Sequence, residues 1–358
     1  MLMVIFGAGA SYDSAQAYRL RNPGGGGAQN FGFAPLPLGD EGPWRPPLTR
    51  DLFLDSYRAL GEIVRKYPKL IHILPRLREP THGRSVEQVL EALLEGSANN
   101  PEVQREITSV RFYLCELLQK VTQEWSTRTD GITNYGPLIK DILQFNKPGQ
   151  RVCLVTFNYD LLLERALYTF GFDDKGPEAF LDSHPIMKLF KLHGSVDWSR
   201  LVEIPGNSRM PPQQLIERAD TIHVSDSYVR ANATDPRQMF NFGKPIFPAI
   251  AIPVQTKSKD DFECPRGHLS RLAELLPQIT KILVIGWQAK EAHFNEMLRS
   301  NLPKLSRVMV VGQNGADAEG TRRYFLSEIG CRLPDEVVGQ GGFTDFVVNQ
   351  EGNGFFSA

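Results

Sequence analysis

The chain is poor in the features that mark several large functional classes. Its 358 residues hold four cysteines, Cys115, Cys153, Cys264 and Cys331, scattered along the sequence. Two fall inside apolar helix or strand patterns, which fits free thiols in a reducing cytoplasm rather than a disulfide framework. Neither sign of charge dominates: 40 Lys and Arg against 41 Asp and Glu leave a formal net charge of −1. That balance provides no bulk field for nucleic acid or an anionic membrane surface. No apolar run approaches the ~20 residues of a membrane helix. The opening apolar stretch, residues 1–6, has no basic leader and stops at Gly7, so it reads as a first strand rather than a signal peptide. Metal ligands are scarce as well. Cys264 and His268 form an isolated Cys-x-x-x-His pair, whereas a structural zinc needs four ligands, so no metal is expected.

What is present suits a substantial core. Hydrophobic residues make up 41% of the chain, and the length fits two domains or one with an insertion. Residues 3–6 read as a strand, and a helix could begin over 12–20. Residues 22–47, with a glycine run at 24–27 and many prolines, read as one long loop. Residues 49–146 read as helical. Thr49 is placed to cap a helix with Leu52, Phe53, Tyr57, Leu60 and Val64, and Ser85 with Gln88 makes a capping-box pattern. Apolar stripes at 107–125 and 138–143 mark further helices. From residue 151 strands and helices alternate: strands at 152–157, 187–192, 246–252, 282–285 and 308–311, and helices at 161–170, 269–276, 291–298 and 316–329. That rhythm predicts an α/β fold, a Rossmann-like parallel sheet with helices on both faces plus an inserted helical module. The expected division is a catalytic domain over 1–48 and 147–348, the module over 49–146, and a loose tail over 349–358. Residues 205–244 read as irregular, and 343–348 as an added edge strand.

Three segments carry the chemistry, each after an expected strand. Gly7-Ala8-Gly9-Ala10-Ser11 stands where a strand hands over to a helix. Glycines there either make a plain turn or allow a diphosphate to approach the backbone, with Gly7, Ala8, Gly9 and Ser11 as its contacts. Tyr12 occupies the third glycine position of the longer dinucleotide fingerprint. Asn158 in Thr-Phe-Asn-Tyr-Asp follows the second strand, placed either to bond a ribose hydroxyl, to orient a water, or to serve the turn. Asp160 is placed to cap the next helix and counts among the candidate dinucleotide contacts. His193 in Leu-His-Gly-Ser ends the third strand. Its imidazole titrates near neutrality and can move a proton to or from a hydroxyl. Gly286-Trp287 and Gly312-Gln313-Asn314 follow two more strands, suited to the adenine and ribose side of a dinucleotide pocket. Lys290 and Glu291 either contact a ribose or start a helix.

These motifs, in this order, resemble the sirtuin superfamily. They are most similar to the divergent bacterial sirtuin-like NADase domains of anti-phage defence. The resemblance spans residues 4–314, and Ser195-Val196-Asp197-Trp198 is typical of the bacterial branch. Asn158 stands where the family has its catalytic asparagine, and His193 where it has its catalytic histidine. The two Cys-x-x-Cys pairs of deacetylating sirtuins are missing. Their Pro-Asp-Phe-Arg segment is replaced by residues 46–53. What the resemblance implies is therefore an NAD hydrolase, with NAD as substrate, releasing nicotinamide and ADP-ribose. It also implies control by homo-oligomerisation or by a partner such as a HerA-like ATPase or an Argonaute-like component. The alternatives are a non-catalytic NAD or ADP-ribose sensor, and ADP-ribosyl transfer or deacylation.

Overall fold

The computed structural model describes residues 1–14, 45–54, 60–80, 83–147, 149–204, 210–241, 243–254, 262–303, 307–313, 315–329, 337–338 and 341–357. The expected loop up to residue 44, Tyr57, Asn314 and Cys331 lie outside them. In chain order the strands are β1 (Leu2–Phe6), β2 (Val152–Thr156), β3 (Met187–Lys191), β4 (Gly194–Glu203), β5 (His223–Arg230), β6 (Phe240–Asn241), β7 (Lys244–Ile250), β8 (Lys281–Ile285), β9 (Arg307–Val311) and β10 (Val337–Val338). The α-helices are α1 (Ala8–Tyr12), α2 (Leu60–Lys66), α3 (Leu74–Arg78), α4 (Val86–Ser97), α5 (Pro101–Thr129), α6 (Tyr135–Phe145), α7 (Leu162–Tyr168), α8 (Pro212–Glu217), α9 (Arg266–Leu275), α10 (Ala292–Asn301), α11 (Gly315–Ile329), α12 (Gly342–Val348) and α13 (Asn353–Ser357).

Six strands form one parallel sheet in the order β10-β9-β8-β1-β2-β3. The sequence explains why. Strands β1 and β2 are unbroken apolar or small runs, and β8 is one after its first residue, Lys281; all three are buried at every position. Such runs belong to strands covered on both faces. Counting only these six, the order is 3-2-1-4-5-6, that of doubly wound dinucleotide-binding sheets, in which ligands bind where the winding reverses. Here that point lies between β1 and β8.

Within the polar stretch 205–244, expected to be irregular, the described residues include helix α8 and strands β5 and β6. Strands β4, β5, β6 and β7 make a second, antiparallel sheet in the order β5-β4-β7-β6. The expected strand at 246–252 belongs to this sheet as β7. Strand β5 is mostly polar and only Ser225 in it is buried, so it shows no apolar run.

Residues 49–146 do not keep a core to themselves. Leu52 through Val121 share one apolar cluster with Val196, Ile246 and Ile250 of the antiparallel sheet. Trp125, Tyr135 and Ile139 instead join the cluster around the parallel sheet. The backbone of the module follows local rules. Ser85 and Gln88 form the capping box in both directions, at 3.3 and 2.9 Å. Asn100 caps α5, with a proline at the helix start. Thr49 opens a short 3-10 turn, Thr49–Asp51.

The C-terminus corrects two expectations. Residues 343–348 are helix α12, not an edge strand. Gly341 and Gly342 both take positive φ before it, and Phe343, Phe346 and Val347 are buried at helical spacing. Residues 349–358, expected to be loose, contain α13, whose Phe355 and Phe356 are 1% exposed. Lys281 Nζ donates to both of their carbonyls, at 3.2 and 2.7 Å.

Candidate active site

The carboxyl ends of β1, β2, β3, β8 and β9 open onto one cleft of about 600 Å³. That volume lies within the usual range for small-molecule sites. Gly7, Ala8, Gly9, Ser11, Asn158, Asp160, His193, Gly286, Trp287 and Gly312 all line it. The expected residues of the described regions are thus brought together in one place.

The glycines have a nearer reason than a ligand. Gly286 adopts φ +61°, and β1's exit packs directly on its backbone. A Cβ on Gly7 would sit 2.5 Å from the Gly286 carbonyl oxygen, and one on Gly9 2.9 Å from Gly286 Cα. Gly7 N donates to the Ile285 carbonyl and Gly9 N to the Gly286 carbonyl, each at 3.1 Å. Ala10 N donates to the Gly7 carbonyl at 2.9 Å. The Gly7 and Gly9 amides, expected to hold a diphosphate, are thus bonded within the protein. Ser11 is committed too: it is 2% exposed, and its Oγ lies 2.9 Å from the Tyr135 hydroxyl. The same residue lines the cleft.

Asn158 is built into the same network. Its Nδ2 donates to the Gly7 carbonyl and to Ser11 Oγ, each at 3.0 Å, and lies 3.4 Å from the Tyr135 hydroxyl. A carbonyl only accepts, so this contact fixes which end of the amide is nitrogen. The side-chain oxygen is then the end with no protein partner among the described residues. Since Asn158 lines the cleft, it presents an acceptor there. Asp160 Oδ1 accepts from Leu162 N at 3.0 Å, an Asx turn just ahead of α7, whose N-cap position is Leu161 and not Asp160.

His193 leaves β3 at the junction of the two sheets. Gly194, at φ +81°, makes that junction, because a Cβ there would run into the Ala249 carbonyl. The His193 carbonyl accepts from Ala251 N at 2.9 Å, which fixes the backbone. The ring is 4% exposed and packs against Phe157 at 4.8 Å and Tyr159 at 6.0 Å between centroids. Burial pushes the Tyr159 hydroxyl well above its ordinary value, so it stays protonated. Phe157 stacks on Trp287 at 5.4 Å, and both rings line the cleft. Trp287 Nε1 donates to Glu291 at 2.5 Å, and Glu291 is the residue that starts α10. Lys290 lines the cleft beside it.

No protein-family model and no curated protein matches the chain. Solved structures similar to it include a Sir2 homologue in complex with NAD. It is 13% identical, with a TM-score of 0.38, covering 97% of this chain and 86% of that one. A mutant Sir2 homologue with 2'-O-acetyl ADP-ribose is 12% identical, with a TM-score of 0.38, covering 100% and 93%. Sir2 with an inhibitor, 2'-O-acetyl-ADP-ribose and a deacetylated peptide is 12% identical, with a TM-score of 0.34, covering 100% and 95%.

Sequence reading missed the far wall of the cleft and one buried anchor. Thr49, Arg50, Ser85, Glu87, Leu118 and Thr122 reach the cleft from the helical module. Tyr135, at the start of α6, supplies the hydroxyl between Ser11 and Asn158. No local pattern announces a tyrosine that meets residues 124 and 23 positions away. Among the described residues, no group of three His, Cys, Asp or Glu side chains is arranged to hold a metal. Cys264 and His268 are no exception: His268 Nε2 lies 2.8 Å from the Pro177 carbonyl.

Proposed function

We propose that the protein hydrolyses NAD to nicotinamide and ADP-ribose. One observation carries the reading. An amide acceptor on the exit of β2 and an imidazole on the exit of the adjacent β3 share one cleft with the glycine turn at the winding reversal. A site of that kind in a doubly wound sheet suits a dinucleotide. A binding module would need neither group.

In this mechanism the ribose–nicotinamide bond breaks through a transition state with oxocarbenium character. The bonding pair leaves with nicotinamide, which departs neutral and needs no strong acid. Water adds to the anomeric carbon, and its proton passes to His193 and then to solvent. Asn158 Oδ1 accepts a hydrogen bond from a ribose hydroxyl or from that water. Its amide nitrogen is held by Gly7 and Ser11, so the acceptor is preorganised. The diphosphate lies along the β1 exit, where Ala8 faces the cleft, with Lys290 and Arg50 as the nearby cations. A 2 to 4 decade loss of turnover is ordinary for removal of an acid–base group.

The test is nicotinamide release from NAD by the purified chain. Asn158→Ala and His193→Ala variants with parental thermal melts are expected to lose roughly 10²–10⁴-fold of it. Release unchanged in both would sink the assignment. A role in anti-phage defence, under control of oligomerisation or a partner protein, belongs to the same proposal, since unrestrained NAD loss is toxic. Light scattering that showed a fully active monomer would remove the oligomer from it. Among the described residues no helix is long and apolar enough to cross a membrane.

A further inference from the structure

Lysine is among the residues least often buried without a reason, and Lys191 is 0% exposed. It closes β3. Its Nζ donates to Glu164 Oε1 and to the Asp160 carbonyl oxygen, each at 2.5 Å. Neither Lys191 nor Glu164 lines the cleft, and the proposed chemistry uses neither. A buried ion pair is weak evidence for stability, because desolvation offsets the attraction. Compensation is incomplete here. Glu164 Oε2 has no partner among the described residues. Burial pushes the Glu164 carboxyl up to about 7, against the opposing pull of Lys191.

What the pair does hold is position. Lys191 stands two residues before His193 on the same exit. Asp160 stands two residues after Asn158 on the neighbouring one. The loop between β2 and α7 is otherwise tied to the β3 side by the Val196 amide, which donates to the Tyr159 carbonyl at 3.0 Å. We propose that Lys191, with Glu164 as its counter-ion, is a positioning residue: by gripping the Asp160 carbonyl it fixes Asn158 relative to His193. The kinetic consequence rests on the NAD reading; the structural one does not.

Removing one partner strands a buried charge, so both are changed together. The Lys191→Met/Glu164→Met double variant replaces the pair with apolar chains of similar size, an exchange that buried pairs tolerate. Lys191→Met/Glu164→Gln is measured alongside, so that a folding failure of one leaves the other. Hydrogen exchange read by mass spectrometry is expected to show peptides across 157–162 exchanging about tenfold faster, with the β1 and β8 peptides unchanged. Unchanged protection across 157–162 overturns the proposal. Where the parent releases nicotinamide, kcat is expected to fall about 100-fold with KM little altered, the signature of misplacement rather than lost binding. A folded variant with the parental kcat overturns it equally. A parent that releases no nicotinamide defeats the NAD reading alone, and the exchange result then decides the positioning role by itself.

Discussion

Two walls face each other across the cleft, and they are made differently. The sheet wall is a row of strand exits locked by neighbouring backbone: β1 on Gly286, Asn158 on Gly7 and Ser11, His193 against Ala251. The module wall comes from separate stretches, around Thr49, Ser85 and Leu118. These are held by a core that they share with the antiparallel sheet. The first wall therefore has little freedom to change without breaking the sheet. The second can vary its side chains while its helices stay packed. Under the proposed function, the rigid wall would hold the chemistry and the other would select or control what enters.

The largest expected effect tests that division directly. His193→Ala should remove roughly 10²–10⁴-fold of turnover. Arg50→Ala, on the module wall, should raise KM while leaving kcat in place, because it removes binding common to ground and transition states. The Arg50 side chain is 78% exposed, so its loss should not disturb folding. Steady-state kinetics on both variants decide the matter. An Arg50 variant that loses kcat as His193→Ala does would erase the distinction between the walls.

Next comes the rigidity itself. Gly286→Ala places a methyl group against the backbone of Gly9 and Ala10, at a φ of +61° that alanine rarely takes. The strained backbone alone should cost about 1–3 kcal/mol, with crowding added to it. Urea unfolding is the measurement. A parental midpoint would mean that the β1 exit can shift, and that the sheet wall is softer than its contacts suggest.

How much of this was legible follows the same divide. The buried parallel strands β1, β2, β3, β8 and β9 were readable because each is mostly apolar, with lysine or arginine only at an end or at one position of β3, and is bounded by a turn. Their exits carried Gly7, Asn158, His193 and Gly286 into view with them. Strand β5 was not readable, since one face meets solvent and its pairing with β4 joins residues such as Trp198 and Arg230. Tyr135 was not readable either, because its function comes from packing and not from its neighbours in sequence. Lys191 and Glu164 did leave a trace: a lysine closing an apolar strand and a glutamate inside the apolar run 161–167. Residues 343–348 were misread because adjacent valines favour strands, while the Phe343, Phe346 and Val347 spacing fits a helix.

A pH experiment probes the packing behind the sheet wall. His268 is buried against Phe180, Phe190 and Trp198, the last from the antiparallel sheet. Burial lowers its pKa from 6.5 to about 4, with the Pro177 carbonyl opposing. Between those values the unfolded chain binds a proton that the folded one refuses. Stability present above pH 6.5 is therefore lost as pH falls towards 4, by at most roughly 3 kcal/mol. His268→Gln keeps a donor for Pro177 and does not titrate, so its unfolding free energy should fall less steeply over that window. Equal slopes for parent and variant would show that the packing around His268 contributes nothing to acid sensitivity.

The smallest effect is the sharpest control on the comparison. Ser85 lines the cleft and also caps α4, accepting from Gln88 N at 3.3 Å. Ser85→Ala should cost about 1 kcal/mol of stability through the lost cap. If the module wall only shapes the cleft, kcat for nicotinamide release should stay parental at temperatures well below the melt. A thermal melt and one saturation curve suffice. Lost stability with kcat retained keeps the chemistry on the strand exits. Lost kcat with stability retained would move part of the catalytic machinery onto the helical module.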